Sequence, residues 1–193
     1  MRELALHLLD IAENSVSSNA QNILIEVGED TRSNRLYFVI QDDGVGMDSD
    51  TVAQITDPFV TSRTTRKVGL GIPLLKAAAE ACNGNLKINS TPGKGTSVEV
   101  EFQRNHIDLM PLGNIACTIQ TLVIGSPEIH WQFIYRANEQ VFEFDDEFIK
   151  QVLGDIPLSE PGVITYIREY LQDGINSIQP PQSIFESILF AQN

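Results

Sequence analysis

Cysteine is scarce in this chain of 193 residues: Cys82 and Cys117 are its only two. A disulfide framework is thereby excluded, and both read as buried thiols of an intracellular protein. Positive charge is also short. Thirteen Lys and Arg stand against 26 Asp and Glu, a formal net charge of -13, which repels nucleic acid and anionic membrane surfaces and sets both aside as partners. No apolar run approaches the ~20 residues of a membrane span. The first helical stretch carries Asp10, Glu13 and Asn14, so it is not the apolar part of a signal peptide, and a cytoplasmic location is the expectation. Hydrophobic residues, at 42%, are sufficient for one domain, or one plus a small appendage, at roughly 150 residues per domain.

The charge and the aromatics change near residue 103. Up to Phe102 there are nine basic and 14 acidic residues, and from Gln103 onward four and 12. Ten of the 14 aromatics lie in the second part. Residues 105–193 therefore read as a module distinct from residues 1–104, packed against it because no flexible linker intervenes.

In the first part, Leu4, Leu8 and Ile11 recur at helical spacing, and Asn22 to Val27 and Leu36 to Ile40 are β-rich runs. Asp48 to Ile55 predicts a short helix, Thr61 to Lys67 a polar loop, and Ile72 to Ala81 a helix with Pro73 in its first turn. Strands at Asn85 to Asn89 and Ser97 to Phe102 flank a turn at Thr91 to Gly95. The fold class is α+β, a mixed and largely antiparallel sheet with helices on one face. In the second part the pattern predicts a helix within Leu112 to Ile124, a hairpin of Trp131 to Tyr135 and Val141 to Phe144 across Asn138, and a short helix at Phe148 to Leu153. A longer helix follows Pro161, and a last apolar stripe holds Ile184, Phe185, Ile188 and Leu189. The acidic run Glu143 to Glu147 reads as a solvated helix start.

Phosphate loops of the Gly-x4-Gly-Lys-Ser/Thr type are absent, and Gly69-Leu70-Gly71 fails the dinucleotide fingerprint because Leu74 stands at the third glycine. Four other pieces carry chemistry. His7, Asp10 and Asn14 share one helix face, either a solvated polar stripe or a base and a magnesium ligand one turn apart. Asp42-Asp43-Gly44-Val45-Gly46-Met47 follows a strand, either an ordinary turn or a carboxylate set beside glycines that leave room for a planar ligand. Arg63, Arg66 and Lys67 fall within five positions, ahead of Gly69-Leu70-Gly71 at a helix start. In so acidic a chain that cluster reads either as a solvated loop or as a contact for an anion, phosphate above all, where free N–H groups converge. Gly93-Lys94-Gly95-Thr96 is a tight turn in which only Thr96 could touch a ligand. No histidine has a partner at metal-ligand spacing.

In this order, the pieces resemble the nucleotide-binding domain of the gyrase, histidine kinase and MutL superfamily over residues 2–102. Leu9 to Ser15 is similar to its N box, Asp42 to Gly46 to its first glycine box, Asp57-Pro58-Phe59 to the end of its F box, Gly69 to Ile72 to its second glycine box, and Gly93 to Thr96 to its last. The resemblance implies a Bergerat-type α/β sandwich that binds ATP and Mg²⁺. Asn14 would hold the metal, Asp42 the adenine amino group, with Gly44, Gly46, Met47 and Thr96 framing the base. Arg63, Arg66, Lys67 and the Gly69, Leu70 and Gly71 amides would hold the phosphates. Asp10 would be the catalytic base.

Thr56 and Lys67 depart from the usual F-box phenylalanine and the opening glycine of the second glycine box, and Asp10 stands where glutamate or asparagine is expected. Only six residues precede His7, so a protein without the phosphoacceptor-histidine hairpin of sensor kinases is expected. The functional expectation is a stand-alone ATP-binding protein that phosphorylates a protein partner or hydrolyses ATP. The alternative is a non-catalytic ATP-dependent switch, or an anti-sigma-like protein-binding module.

Overall fold

Period-two alternation builds the sheet. Leu36, Phe38 and Ile40, and likewise Val98, Val100 and Phe102, are buried while the residues between them are not, the pattern of strands with one face on a core and one toward water. In the structure, a computed structural model that describes residues 3–56 and 71–178, they lie on β2 (Arg35–Asp42) and β4 (Gly95–Gln103). With β1 (Asn22–Asp30), β3 (Asn85–Thr91), β5 (His130–Ala137) and β6 (Gln140–Asp145) they form one sheet in the order β3-β4-β2-β1-β5-β6. Every neighbouring pair is antiparallel except β1 and β5. The strands after residue 104 thus extend the same sheet, with Asn22 opposite His130 and Ile25 opposite Phe133.

The helices are α1 (Leu4–Ser17), α2 (Ser49–Thr56), α3 (Gly71–Ala81), α4 (Ile115–Gly125), α5 (Asp146–Leu153) and α6 (Pro161–Ile178). α1 buries Leu4, Leu8, Ile11 and Ser15 as one stripe against the sheet. Its first turn has no side-chain cap; the N–H groups of Leu4 and Ala5 donate instead to the carbonyls of Pro111 and Leu112. α4 starts at Ile115, later than the apolar run that begins at Leu112, because Asn114 caps it by accepting from Cys117 N–H at 2.9 Å. The hairpin between β5 and β6 turns at Asn138, in the left-handed region at φ 55°. Trp131, Phe133 and Tyr135 of β5 are fully buried, with α6 packed against the strand, and a buried phenylalanine such as Phe133 contributes about 1.5–3 kcal/mol. The last apolar stripe, at 184–189, lies outside the described residues.

Two expectations are corrected. Cys82 is buried, but Cys117 is exposed, on the solvent side of the first turn of α4. The acidic run at 143–147 is not simply solvated, for Asp146 is 0% exposed. Its hydration is replaced by the Trp131 N–H at 3.0 Å and the Lys150 ammonium at 2.7 Å. Burial nevertheless pushes the Asp146 carboxyl upward from its ordinary value. Among the described residues no helix is long and apolar enough to cross a membrane.

Candidate functional site

Polar residues stand at the ends of three apolar alternations. Asp42 continues Leu36-Phe38-Ile40, Ser90 continues Leu86-Ile88, and Thr96 precedes Val98-Val100-Phe102. The register aligns all three, since Asp42 pairs with Thr96 and Thr96 with Ser90. A polar row therefore crosses β2, β4 and β3 at one edge of the core.

The row is held from below and above. Asp42, 8% exposed, accepts from Ser15 Oγ at 2.6 Å through Oδ2, and from the N–H groups of Gly44 (3.0 Å) and Thr96 (3.2 Å) through Oδ1. A carboxylate offers about four acceptor positions, so one is left for a further donor. Ser90 Oγ donates to Gly95 O (3.1 Å) and accepts from Met47 N–H (2.7 Å). Its 2.9 Å contact with Thr96 Oγ1 is then donated by Thr96, whose oxygen keeps acceptor capacity.

The loop after Asp42 is tied on both sides. Val45 N–H donates to Ser18 O at 3.0 Å, and Val45 O accepts from Gly93 N–H at 2.8 Å. Gly46 (φ 64°) and Gly95 (φ 98°) occupy the left-handed region where their backbones meet neighbours. A Cβ would strike the Thr91 carbonyl at the first and the Asp42 carbonyl at the second. An open cavity of about 540 Å³ lies here, lined by Asp42, Val52, Ile88, Ser90, Gly95 and Thr96 among others. Its mixture of apolar walls and a few convergent polar groups suits a flat heterocycle with an amino group.

On α1, Asn14 is exposed and Asp10 half-buried. Asp10 lies against the start of α3, where a Cβ on Gly71 would come within 3.0 Å of Asp10 Oδ2. Among the described residues the side chains of Asp10 and Asn14 make no hydrogen bond, which leaves their oxygens available. His7, on the same helix face, is 3% exposed, and its Nδ1 has no hydrogen-bond partner among the described residues. Burial lowers its pKa, so it is a neutral packed histidine that does not bond to Asp10. Arg63, Arg66, Lys67, Gly69 and Leu70, with Asp57-Pro58-Phe59, lie outside the described residues.

Sequence spacing does not single out Ser15 or Ser90, yet both hold the site. The signal is nonetheless present: Ser15 is buried and Ser90 half-buried, each on an otherwise apolar stripe, and a hydroxyl shielded from water requires a partner. His130, expected to stand alone, is brought by the pairing of β5 and β6 beside Asp145 and Asp146, with ligand atoms within 4.8 Å of one another.

The family described as histidine kinase-, DNA gyrase B-, and HSP90-like ATPase matches residues 1–106. A putative sensor protein of Shewanella frigidimarina is 32% identical over 103 residues, covering 53% of this chain and 15% of that protein. The cell-division control histidine kinase PdhS of Brucella anthropi is 33% identical over 115 residues, covering 53% and 11%. The chain thus spans a small part of the curated relatives it matches. Among solved structures, the N-terminal domain of a DNA repair protein superposes with a TM-score of 0.51 at 14% identity, covering 75% of this chain and 52% of the other, which is a likeness of fold.

Proposed function

The chain belongs to the histidine kinase-, DNA gyrase B- and HSP90-like ATPase family, and from that premise we propose that it binds Mg²⁺-ATP in the cleft over β2 and β4 and uses it to phosphorylate a protein partner or to hydrolyse it. The observation that carries this reading is Asp42, a shielded carboxylate with three fixed donors and one acceptor position left. That position takes the adenine amino group, while Gly44, Gly46, Met47 and Thr96 shape the pocket around the base.

The free oxygens of α1 fit the metal and the reaction. Asn14 offers one hard oxygen ligand, which suffices for Mg²⁺ when phosphates supply the rest. When bound, the ion neutralises charge on the phosphates. Asp10, against Gly71, accepts the proton of the attacking water or hydroxyl. Arg63, Arg66 and Lys67, with the Gly69, Leu70 and Gly71 amides, hold the phosphates, leaving the protein mainly positioning and charge compensation.

Incubation of the intact chain with Mg²⁺ and γ-phosphate-labelled ATP, alone and with extract from its own source, tests this. Label on a protein band identifies a kinase, and label released as phosphate an ATPase. Failure to bind ATP overturns the reading. Bound ATP that is never turned over favours a second reading, a nucleotide-controlled switch for partner binding. It is supported by the pairing of β5 directly with β1, which builds the later segment into the sheet that carries Asp42.

A further inference from the structure

A chain of hydrogen bonds leaves the Asp42 loop and crosses into the strands that follow residue 104. Asp43 Oδ1 accepts from the N–H groups of Gln21 (2.7 Å) and Asn22 (2.9 Å), and Oδ2 from Asn22 Nδ2 at 2.6 Å. Burial pushes the Asp43 carboxyl up, but these bonds outweigh it and hold it below its ordinary value. An ionised carboxylate only accepts, so the last bond fixes which end of the Asn22 amide carries hydrogen.

Asn22 Oδ1 lies 3.1 Å from His130 Nδ1, and an amide oxygen only accepts, so Nδ1 carries a proton. His130 Nε2 lies 2.9 Å from Asp145 Oδ1, a second acceptor. Asp145 does not supply the missing proton. Burial pushes its carboxyl up, but hydrogen bonds from Gln132 and His130 prevail and hold it below its ordinary value. Both ring nitrogens must therefore donate, which only the imidazolium can do.

The charges around the ring agree. It faces Asp145 from β6, Asp146 and Lys150 from α5, and Asp43 through Asn22. The Lys150 ammonium is occupied by Asp146 Oδ2 at 2.7 Å, so it answers that carboxylate and leaves Asp145 to the ring.

We propose that protonated His130 is a positioning residue for the nucleotide site: it holds Asn22, Asn22 holds Asp43, and the Asp42–Gly46 loop is thereby set for the purine, so that ATP binds more tightly with the ring protonated than with it neutral. The proposal rests on the nucleotide reading of the cleft.

The test measures Mg²⁺-ATP affinity of the full chain from pH 8 to pH 6 for the wild type, Asp145→Asn and His130→Ala, with ¹⁵N spectra of the His130 ring in the wild type and Asp145→Asn. The wild type should tighten about three- to tenfold, the range of one hydrogen bond's net worth. Asp145→Asn can turn its amide to donate to a neutral Nε2, giving up the Glu147 N–H bond that the same Oδ1 position accepts at the start of α5, so its profile should be flatter, with tight binding kept at pH 8. His130→Ala should be weak throughout. ATP's own titration is common to all three and cancels in the ratios. The ring should be doubly protonated at pH 6 in the wild type. A wild-type profile that Asp145→Asn reproduces overturns the positioning role, as does a ring with one bare nitrogen at pH 6. Absence of ATP binding by the wild type at every pH instead defeats the nucleotide reading and the positioning role with it, while the ring spectra still decide whether the bridge forms.

Discussion

Ser15 Oγ lies 2.6 Å from Asp42 Oδ2, joining the buried stripe of α1 to the last residue of β2. Both groups are shielded from water, where a hydrogen bond to a charged acceptor contributes about 1.5–3 kcal/mol. The bond fixes the carboxylate, and it also anchors the helix that carries Asn14 and Asp10.

Ser15→Ala should cost about 1.5–3 kcal/mol of stability, read from the midpoint of urea unfolding. Asp42→Asn should weaken ATP binding by about tenfold or more, read calorimetrically, because a donor then faces the adenine amino group or one of the three fixed donors. An unchanged affinity in Asp42→Asn would remove Asp42 from the site.

Gly93 and Gly95 separate strain from collision. Both have φ in the left-handed region, but a Cβ at Gly93 meets nothing within 4 Å, whereas at Gly95 it strikes the Asp42 carbonyl. Gly93→Ala should cost about 1–2 kcal/mol. Gly95→Ala should cost clearly more and should weaken nucleotide binding as well, since Asp42 has to move.

Burial lowers the pKa of His7, so the folded chain keeps it neutral where the unfolded chain, near the ordinary value of about 6.5, takes up a proton. The unfolded state then binds more protons, and stability is lost as pH falls below that value. His7→Leu should lack this loss. Urea midpoints at pH 7 and pH 5.5 for both proteins check it, and the contribution of His130 is common to the two.

Asp10→Asn should keep ATP binding and lower turnover about a hundredfold or more, the usual worth of a general base. Asp10→Glu, one methylene longer, should retain turnover. Equal turnover in the wild type and Asp10→Asn would exclude Asp10 as the base.

The strands and helices were legible because their apolar residues recur at periods of two and near four, and Asp42, Gly44, Gly46 and Thr96 stood out as short local strings. Ser15 and Ser90 did not, since each continues an apolar stripe and shows its role only when strand register brings Asp42 and Thr96 alongside. His130 and Asp145 are 15 residues apart, and only the pairing of Gln132 with Asp145 makes them neighbours. Asp146 read as solvent-facing from its acidic surroundings. What reverses this is a tertiary contact, the Trp131 N–H, to which no local pattern points.

The parallel pairing of β1 with β5 has a kinetic consequence. Asn22 meets His130 only after more than a hundred residues of chain lie between them. During synthesis β1 therefore emerges early and waits with one hydrogen-bonding edge bare, and contacts of such long sequence separation form slowly. A bare edge of alternating Ile23, Ile25 and Val27 is a template for pairing with another nascent chain. A fragment cut at residue 104 would keep that edge permanently open and should self-associate more than the full chain.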